Sequence, residues 1–138
     1  MTRIAIIGAG MAGITLANEL KTHGDITVFE KARGVGGRMS TRRANPFSFD
    51  HGAQYFTART QPFIKLVNEM ESINVVASWQ AQHVNIDRKD LSMKASTDKQ
   101  KRYVGVPTMH SILKHLSQDL NIEINCPISQ IKKNSHWH

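Results

Sequence analysis

Cysteine is nearly absent from this chain: Cys126 stands alone in 138 residues, so no intrachain disulfide can form. A cytoplasmic setting is the expectation that follows. Long apolar runs are missing too, and none approaches the roughly 18 residues that cross a bilayer. The first strand-like run begins at residue 3, and no signal peptide is expected ahead of it. Acidic residues are scarce, 11 against 18 Lys and Arg, giving a net charge of +7. That excess does not make a nucleic-acid site, because the basic residues are dispersed and no nucleic-acid motif accompanies them. Lys99-Gln100-Lys101-Arg102 and Lys132-Lys133 read as solvated loop or edge positions. Repeats and low-complexity tracts are absent. So are catalytic constellations. Ser40, His51 and Cys126 form no triad, no carboxylates pair, and no metal-ligand set surrounds His136 and His138. His110 and His115 would sit about 140° apart round a helix, too far to share a metal. The hydrophobic share of 40% suits a globular protein, with length for one ordinary domain.

What is present begins at once. Arg3-Ile4-Ala5-Ile6-Ile7 is long enough for one buried strand and too short for a helix. Gly8-Ala9-Gly10-Met11-Ala12-Gly13 follows, then a helical stretch from Ile14 to Lys21, a stop at His23-Gly24, and a second strand, Ile26 to Phe29, ending in Glu30. Strand, glycine turn, helix, strand and acid is the order of a Rossmann nucleotide unit. Gly8 permits the tight exit from the strand, Gly10 leaves room for a pyrophosphate, and Gly13 lets the helix approach the sheet. The helix start at Met11 and Ala12 offers unpaired N–H groups and a positive dipole end to phosphates. Glu30 lies 22 residues beyond Gly8, where a carboxylate can accept from both ribose hydroxyls. It would repel a 2′-phosphate, which favours FAD or NAD over NADP.

A second glycine motif, Lys31-Ala32-Arg33-Gly34-Val35-Gly36-Gly37-Arg38, follows Glu30 without a gap. Met39-Ser40-Thr41-Arg42-Arg43 and Phe49-Asp50-His51-Gly52-Ala53-Gln54-Tyr55-Phe56 extend it. With these blocks the first 60 or so residues resemble the flavoproteins that carry a glycine doublet after the ribose acid, a group that includes amine oxidases and renalase. The second block is most similar to the renalase branch. The resemblance implies a Rossmann-type FAD/NAD(P)-binding α/β domain with a small inserted antiparallel β region. It further implies FAD contacts from Lys31, Gly36, Gly37, Arg38 and Met39, with Ala53, Gln54 and Tyr55 beside the flavin ring. Flavoproteins of this group are longer, and a Gly-Asp segment near their C-terminus completes the site. Nothing here matches it, so the expectation is a truncated, amino-terminal part of such a protein.

Further along, Ser40 to Arg43 and Phe47-Ser48-Phe49 flank the turn signal Asn45-Pro46. Thr60-Gln61-Pro62 opens a helix with Thr60 as cap, and Phe63, Leu66, Val67 and Met70 mark its core face. Val75 to Ile86, Leu91 to Ala95 and Arg102 to Val106 read as short antiparallel strands. Pro107-Thr108 starts another helix, capped by Thr108, with a stripe of Met109, Ile112, Leu113, Leu116 and Leu120. Ile122 to Asn125 and Ile128 to Ile131 alternate as strands about Pro127. By resemblance the chain returns here to the nucleotide sheet, and Ile128 lends its backbone to the adenine. The expected division is a nucleotide-binding part of residues 1–73 and 107–138, with 74–106 as the start of a substrate-domain sheet.

The activity implied by resemblance is an FAD-dependent oxidoreductase acting on an amine or a dihydronicotinamide-type substrate. Two other readings stay open: a non-catalytic dinucleotide-binding fragment, and an NAD-binding module. The doublet Gly36-Gly37 with Arg38 speaks against the last, which has no use for the extra pyrophosphate contact. The helix stripe from Met109 to Leu120 and the strand around Trp79 are candidates for exposed apolar surface, and a homodimer is expected from them.

Overall fold

The computed structural model describes residues 2–133. Strand β1 (Arg3–Ile7) leads through the glycine turn into helix α1 (Met11–Leu20) and back to β2 (Asp25–Phe29). The two strands are parallel, with Arg3 opposite Asp25 and Ile7 opposite Phe29, a pairing that requires a crossover such as α1. A 3-10 turn (Gly37–Met39) precedes the hairpin of β3 (Thr41–Ala44) and β4 (Phe47–Asp50), folded at Asn45-Pro46. Helix α2 (Gln61–Ser72) follows. Strand β5 (Val76–Ser78) pairs with β8 (Tyr103–Gly105), and between them β6 (Val84–Ile86) and β7 (Met93–Ala95) form a ribbon of their own. Helix α3 (His110–Leu116) then returns the chain to β9 (Ile122–Glu123), parallel to β2. The order β1-β2-β9 is one half of a Rossmann sheet.

The core is one cluster in which α1 packs on β1, β2 and α3, α2 on β5, and α3 on α1 and β8. Ile14 and Ala17 of α1, Val67 and Met70 of α2, and Ile112 and Leu113 of α3 are buried in it together with Met109, Ile6, Ile26, Val28, Val76 and Tyr103. Within each helix these positions are one or three apart, so they share one stripe. Asn18 ties α1 to α3, its side-chain amide donating to the carbonyls of Leu116 at 2.7 Å and Ile14 at 3.0 Å.

Helix α3 begins later than its sequence suggests, and Thr108 does not cap it. Met109 holds the N-cap position without a local side-chain cap. The β3–β4 hairpin serves instead. Asp50 Oδ2 accepts the Met109 N–H at 3.1 Å, and Thr41 Oγ1 accepts that of His110 at 3.3 Å. The Thr41 hydroxyl in turn donates to Asp50 Oδ1 at 2.5 Å. Thr60 does stand at the N-cap of α2, but its side chain makes no capping bond.

The stripe expected to be exposed is covered: Met109, Ile112 and Leu113 are fully buried, because α3 packs on α1 and β8. Trp79 does remain 40% exposed. Residues 128–131 form no strand. The parallel pairing stops at Glu123, since the N–H groups of Asn125 and Cys126 turn back to the carbonyls of Ala32 and Glu30, both at 2.9 Å. Pro127 then has no N–H to offer a ladder. His136 and His138 lie outside the described residues.

Candidate dinucleotide site

The first glycine turn is shaped by three constraints that only its sequence meets. Gly8 has φ +99°, a left-handed conformation that side chains rarely adopt, while its N–H bonds the Phe29 carbonyl at 2.8 Å. A β-carbon on Gly13 would lie 2.0 Å from the Gly8 carbonyl oxygen, so the helix can start this close only with glycine there. A β-carbon on Gly10 would meet nothing nearer than Gly37 Cα at 4.0 Å. It would therefore fit without a clash, in ordinary contact with the second glycine motif at the mouth of the turn. The first helical amide to find a backbone acceptor is that of Ile14, on Gly10 at 3.0 Å. No side chain caps the helix and no acid stands in its first turn. The preceding amides are left facing outward with the positive end of the dipole.

The second glycine motif is docked on the first. Gly36 donates its N–H to the Ala9 carbonyl at 3.0 Å, and a β-carbon on Gly37 would come within 3.3 Å of Gly10 Cα. Gly36 has φ +133° and Gly37 φ +53°, so both positions favour glycine. The Met39 and Ser40 amides close the 3-10 turn on Gly36 and Gly37. Arg38, exposed, makes no side-chain ion pair or hydrogen bond among the described residues; neither Glu30 nor Asp50 claims it. Its carbonyl accepts the Ala53 N–H at 2.8 Å, and Gly52 permits that approach because a β-carbon there would lie 2.1 Å from the Arg38 oxygen.

Glu30 is only 7% exposed and holds the turns together. Oε2 accepts the Ala9 N–H at 2.7 Å and Oε1 that of Ala32 at 2.8 Å. Each oxygen keeps a further lone pair for a ligand hydroxyl. Its strand position follows from the β2 register, and its N–H bonds Glu123 of the neighbouring strand segment at 2.8 Å.

The remaining expected site residues scatter more widely. Met11, Met39 and Ala53 are half-buried, whereas Ala12, Lys31 and Gln54 are exposed. Tyr55 is 44% exposed, its ring 5.5 Å from that of Trp79 and 5.4 Å from the Arg102 guanidinium. Phe56 turns the other way and stacks on Tyr103 at 5.6 Å. Ile128 is exposed and outside any strand, two residues past the Cys126 amide that bonds Glu30. His51 is exposed, and Asp50 beside it is engaged elsewhere.

Sequence reasoning missed two contributors. Asp50 acts across the fold on α3, and His110 lies against the second glycine motif: a β-carbon on Gly36 would be 3.2 Å from its Nδ1. Burial, and then Arg43 and Lys114, hold the His110 ring below its ordinary pKa, with the Val35 backbone opposing them. Only the separation in sequence concealed these pairs.

Fold and turn geometry together define an α/β domain of the dinucleotide-binding Rossmann class. Residues 6–70, just under half of the chain, match the family described as NAD(P)-binding Rossmann-like domain. A curated relative, 4,4'-diapophytoene desaturase (4,4'-diaponeurosporene-forming) of Staphylococcus aureus (strain Newman), is 43% identical over 51 residues, 36% of this chain and 10% of the desaturase. The solved structure of 2,6-dihydroxypyridine-3-hydroxylase from Arthrobacter nicotinovorans has a TM-score of 0.58 over 96% of this chain and 31% of its own, at 13% identity. A triple mutant of putrescine oxidase gives 0.50 over 68% and 21%, at 24% identity. This chain thus spans about a tenth of the desaturase and under a third of either solved chain. The two structural likenesses speak for the fold alone.

Proposed function

We propose that this chain is the FAD-binding part of a flavin-dependent oxidoreductase of the renalase and amine-oxidase group. The observation that carries the reading is the contact between the two glycine turns, with Gly36 bonded to Ala9 and Gly37 set against Gly10. One turn suffices for NAD; a second turn beside it, with an unclaimed Arg38, suits a pyrophosphate held from two sides. FAD fits these residues: a Gly10 β-carbon would meet nothing nearer than Gly37 Cα at 4.0 Å, and Glu30 stands at the end of β2 with acceptor capacity to spare.

In this reading Gly8, Gly10, Met11, Ala12 and Gly13 supply the phosphate turn, and Glu30 orients the ribose. Lys31, Gly36, Gly37, Arg38 and Met39 close the second side, Ala53, Gln54 and Tyr55 border the ring, and Ile128 borders the adenine. When bound, FAD supplies hydride acceptance from an amine or dihydronicotinamide-type substrate. Residues 1–73 with 107–138 form the nucleotide-binding part, and 74–106 begin the substrate-facing sheet. No helix among the described residues is long and apolar enough to cross a membrane; we place the protein in the cytoplasm on its single cysteine.

The visible absorption spectrum of the purified protein, with and without added FAD, tests the reading. Flavin bands near one per chain are expected. A colourless protein that takes up no FAD overturns it, and NAD binding by that protein would favour a nicotinamide module instead.

A further inference from the structure

His110 is the first residue of α3, and the hairpin fixes its backbone. The Met109 amide is held by Asp50 at 3.1 Å and the His110 amide by Thr41 at 3.3 Å. From that anchored position the ring reaches the second glycine motif. It faces the Val35 backbone, and its Nδ1 lies 3.2 Å from where a Gly36 β-carbon would stand. Ser40 crowds the same point, its Cα also 3.2 Å away. Gly36 thus has an imidazole and the 3-10 turn packed where a side chain would project, while its N–H reaches Ala9 at 3.0 Å.

We propose that His110 is a positioning residue, whose ring holds Val35 and Gly36 so that the second glycine turn stays seated on the first. The physical reason is that Gly36 and Gly37 both occupy conformations in which a glycine-rich loop has no local preference for one shape. Such a segment keeps its form only if surrounding groups over-determine it. The Ala9 carbonyl is one such group, the Met39 and Ser40 amides that bond Gly36 and Gly37 are others, and the His110 ring is a further one. The consequence for ligand affinity rests on the FAD reading given above; the seating itself does not, since it consists of contacts within the chain.

Amide hydrogen exchange of the protein without added dinucleotide, together with FAD titration by flavin fluorescence quenching, tests the proposal. His110→Ala is expected to speed exchange at residues 36–40 by about tenfold while the β1-β2-β9 sheet keeps its protection. FAD affinity should fall by about five- to tenfold, the worth of one ordinary polar contact. His110→Gln, which retains a side-chain N–H and most of the bulk, should recover part of both effects. Unchanged exchange at residues 36–40 overturns the proposal, and so does an equal loss of protection over the whole domain. Should His110→Ala fail to fold, His110→Gln against His110→Met decides: equal exchange at residues 36–40 in both would show that the ring's polar contact has no positioning role. A wild-type protein that binds no FAD would bring down the functional reading, while the exchange measurement would still decide the role of His110.

Discussion

Gly36 donates its N–H to the carbonyl of Ala9 at 3.0 Å, so the second glycine turn is built onto the first. The two motifs are therefore one structural unit, and changes to either are read by both.

Gly10→Val should leave the protein folded and remove FAD binding. The first added carbon meets only Gly37 Cα at 4.0 Å, but the branched carbons beyond it occupy the mouth where the phosphates belong. Circular dichroism and FAD titration check this. A folded Gly10→Val protein with undiminished affinity would contradict the pyrophosphate assignment.

Gly13→Ala should behave in the opposite way, as a stability mutation. Its β-carbon would stand 2.0 Å from the Gly8 carbonyl oxygen, a backbone atom that has no rotamer in which to retreat. Overpacking of this kind costs about 1–3 kcal/mol or more, which urea denaturation would register as a lowered midpoint. A midpoint equal to wild type would show that the turn has slack the geometry does not suggest.

Arg38→Ala should weaken FAD binding and flatten its dependence on salt. The guanidinium is exposed and claimed by neither Glu30 nor Asp50, so removing it strands no partner in the folded protein. A charge-assisted bond to phosphate is screened as ionic strength rises. Titrations at low and high salt compare the two proteins, and identical salt slopes would rule out the contact.

Acid should weaken the fold through His110. Burial, then Arg43 and Lys114, lower its pKa in the folded protein from the ordinary 6.5, against a smaller opposing effect of the Val35 backbone. Below pH 6.5 the unfolded chain takes up a proton that the folded ring resists. The stability from this group is therefore complete above that pH and is lost as pH falls from there through the lowered folded value. Urea midpoints from about pH 8 to about pH 5 should decline more in wild type than in His110→Gln. Parallel declines would assign the acid sensitivity to other groups.

Self-association is expected, most simply as a two-fold dimer, though not through the helix stripe. Val84, Ile86 and Met93 lie exposed on the β6–β7 ribbon, with Ile86 and Met93 cross-strand neighbours, and β1 stands at the edge of its sheet with Ile7 55% exposed. Edges and apolar faces of this kind recruit a second chain. Sedimentation equilibrium across the micromolar range would show a mass above 15.5 kDa; a single species of that mass throughout would refute the dimer.

The parts of the fold legible in the sequence are those set by neighbours. Arg3 to Glu30 carries its own strand, turn and helix pattern, and the structure follows it element by element, though α1 starts at Met11, three residues ahead of Ile14, and ends at Leu20. The α2 face of Val67 and Met70 was equally plain from helical spacing. What stayed hidden were contacts closed by the fold: Asp50 capping α3 across 59 residues, and His110 reaching Gly36. Thr108 looked like a cap because threonine is a good one locally; a carboxylate arriving from the hairpin took that role. Ile128 to Ile131 alternates as a strand should, yet the backbone bonds that would extend β9 are spent on Ala32 and Glu30.

Glu30 holds the amides of Ala9 and Ala32, one on each carboxylate oxygen. A single side chain therefore spaces the turn after β1 from the segment after β2, and the length of that side chain, more than either loop, sets how far apart they stand.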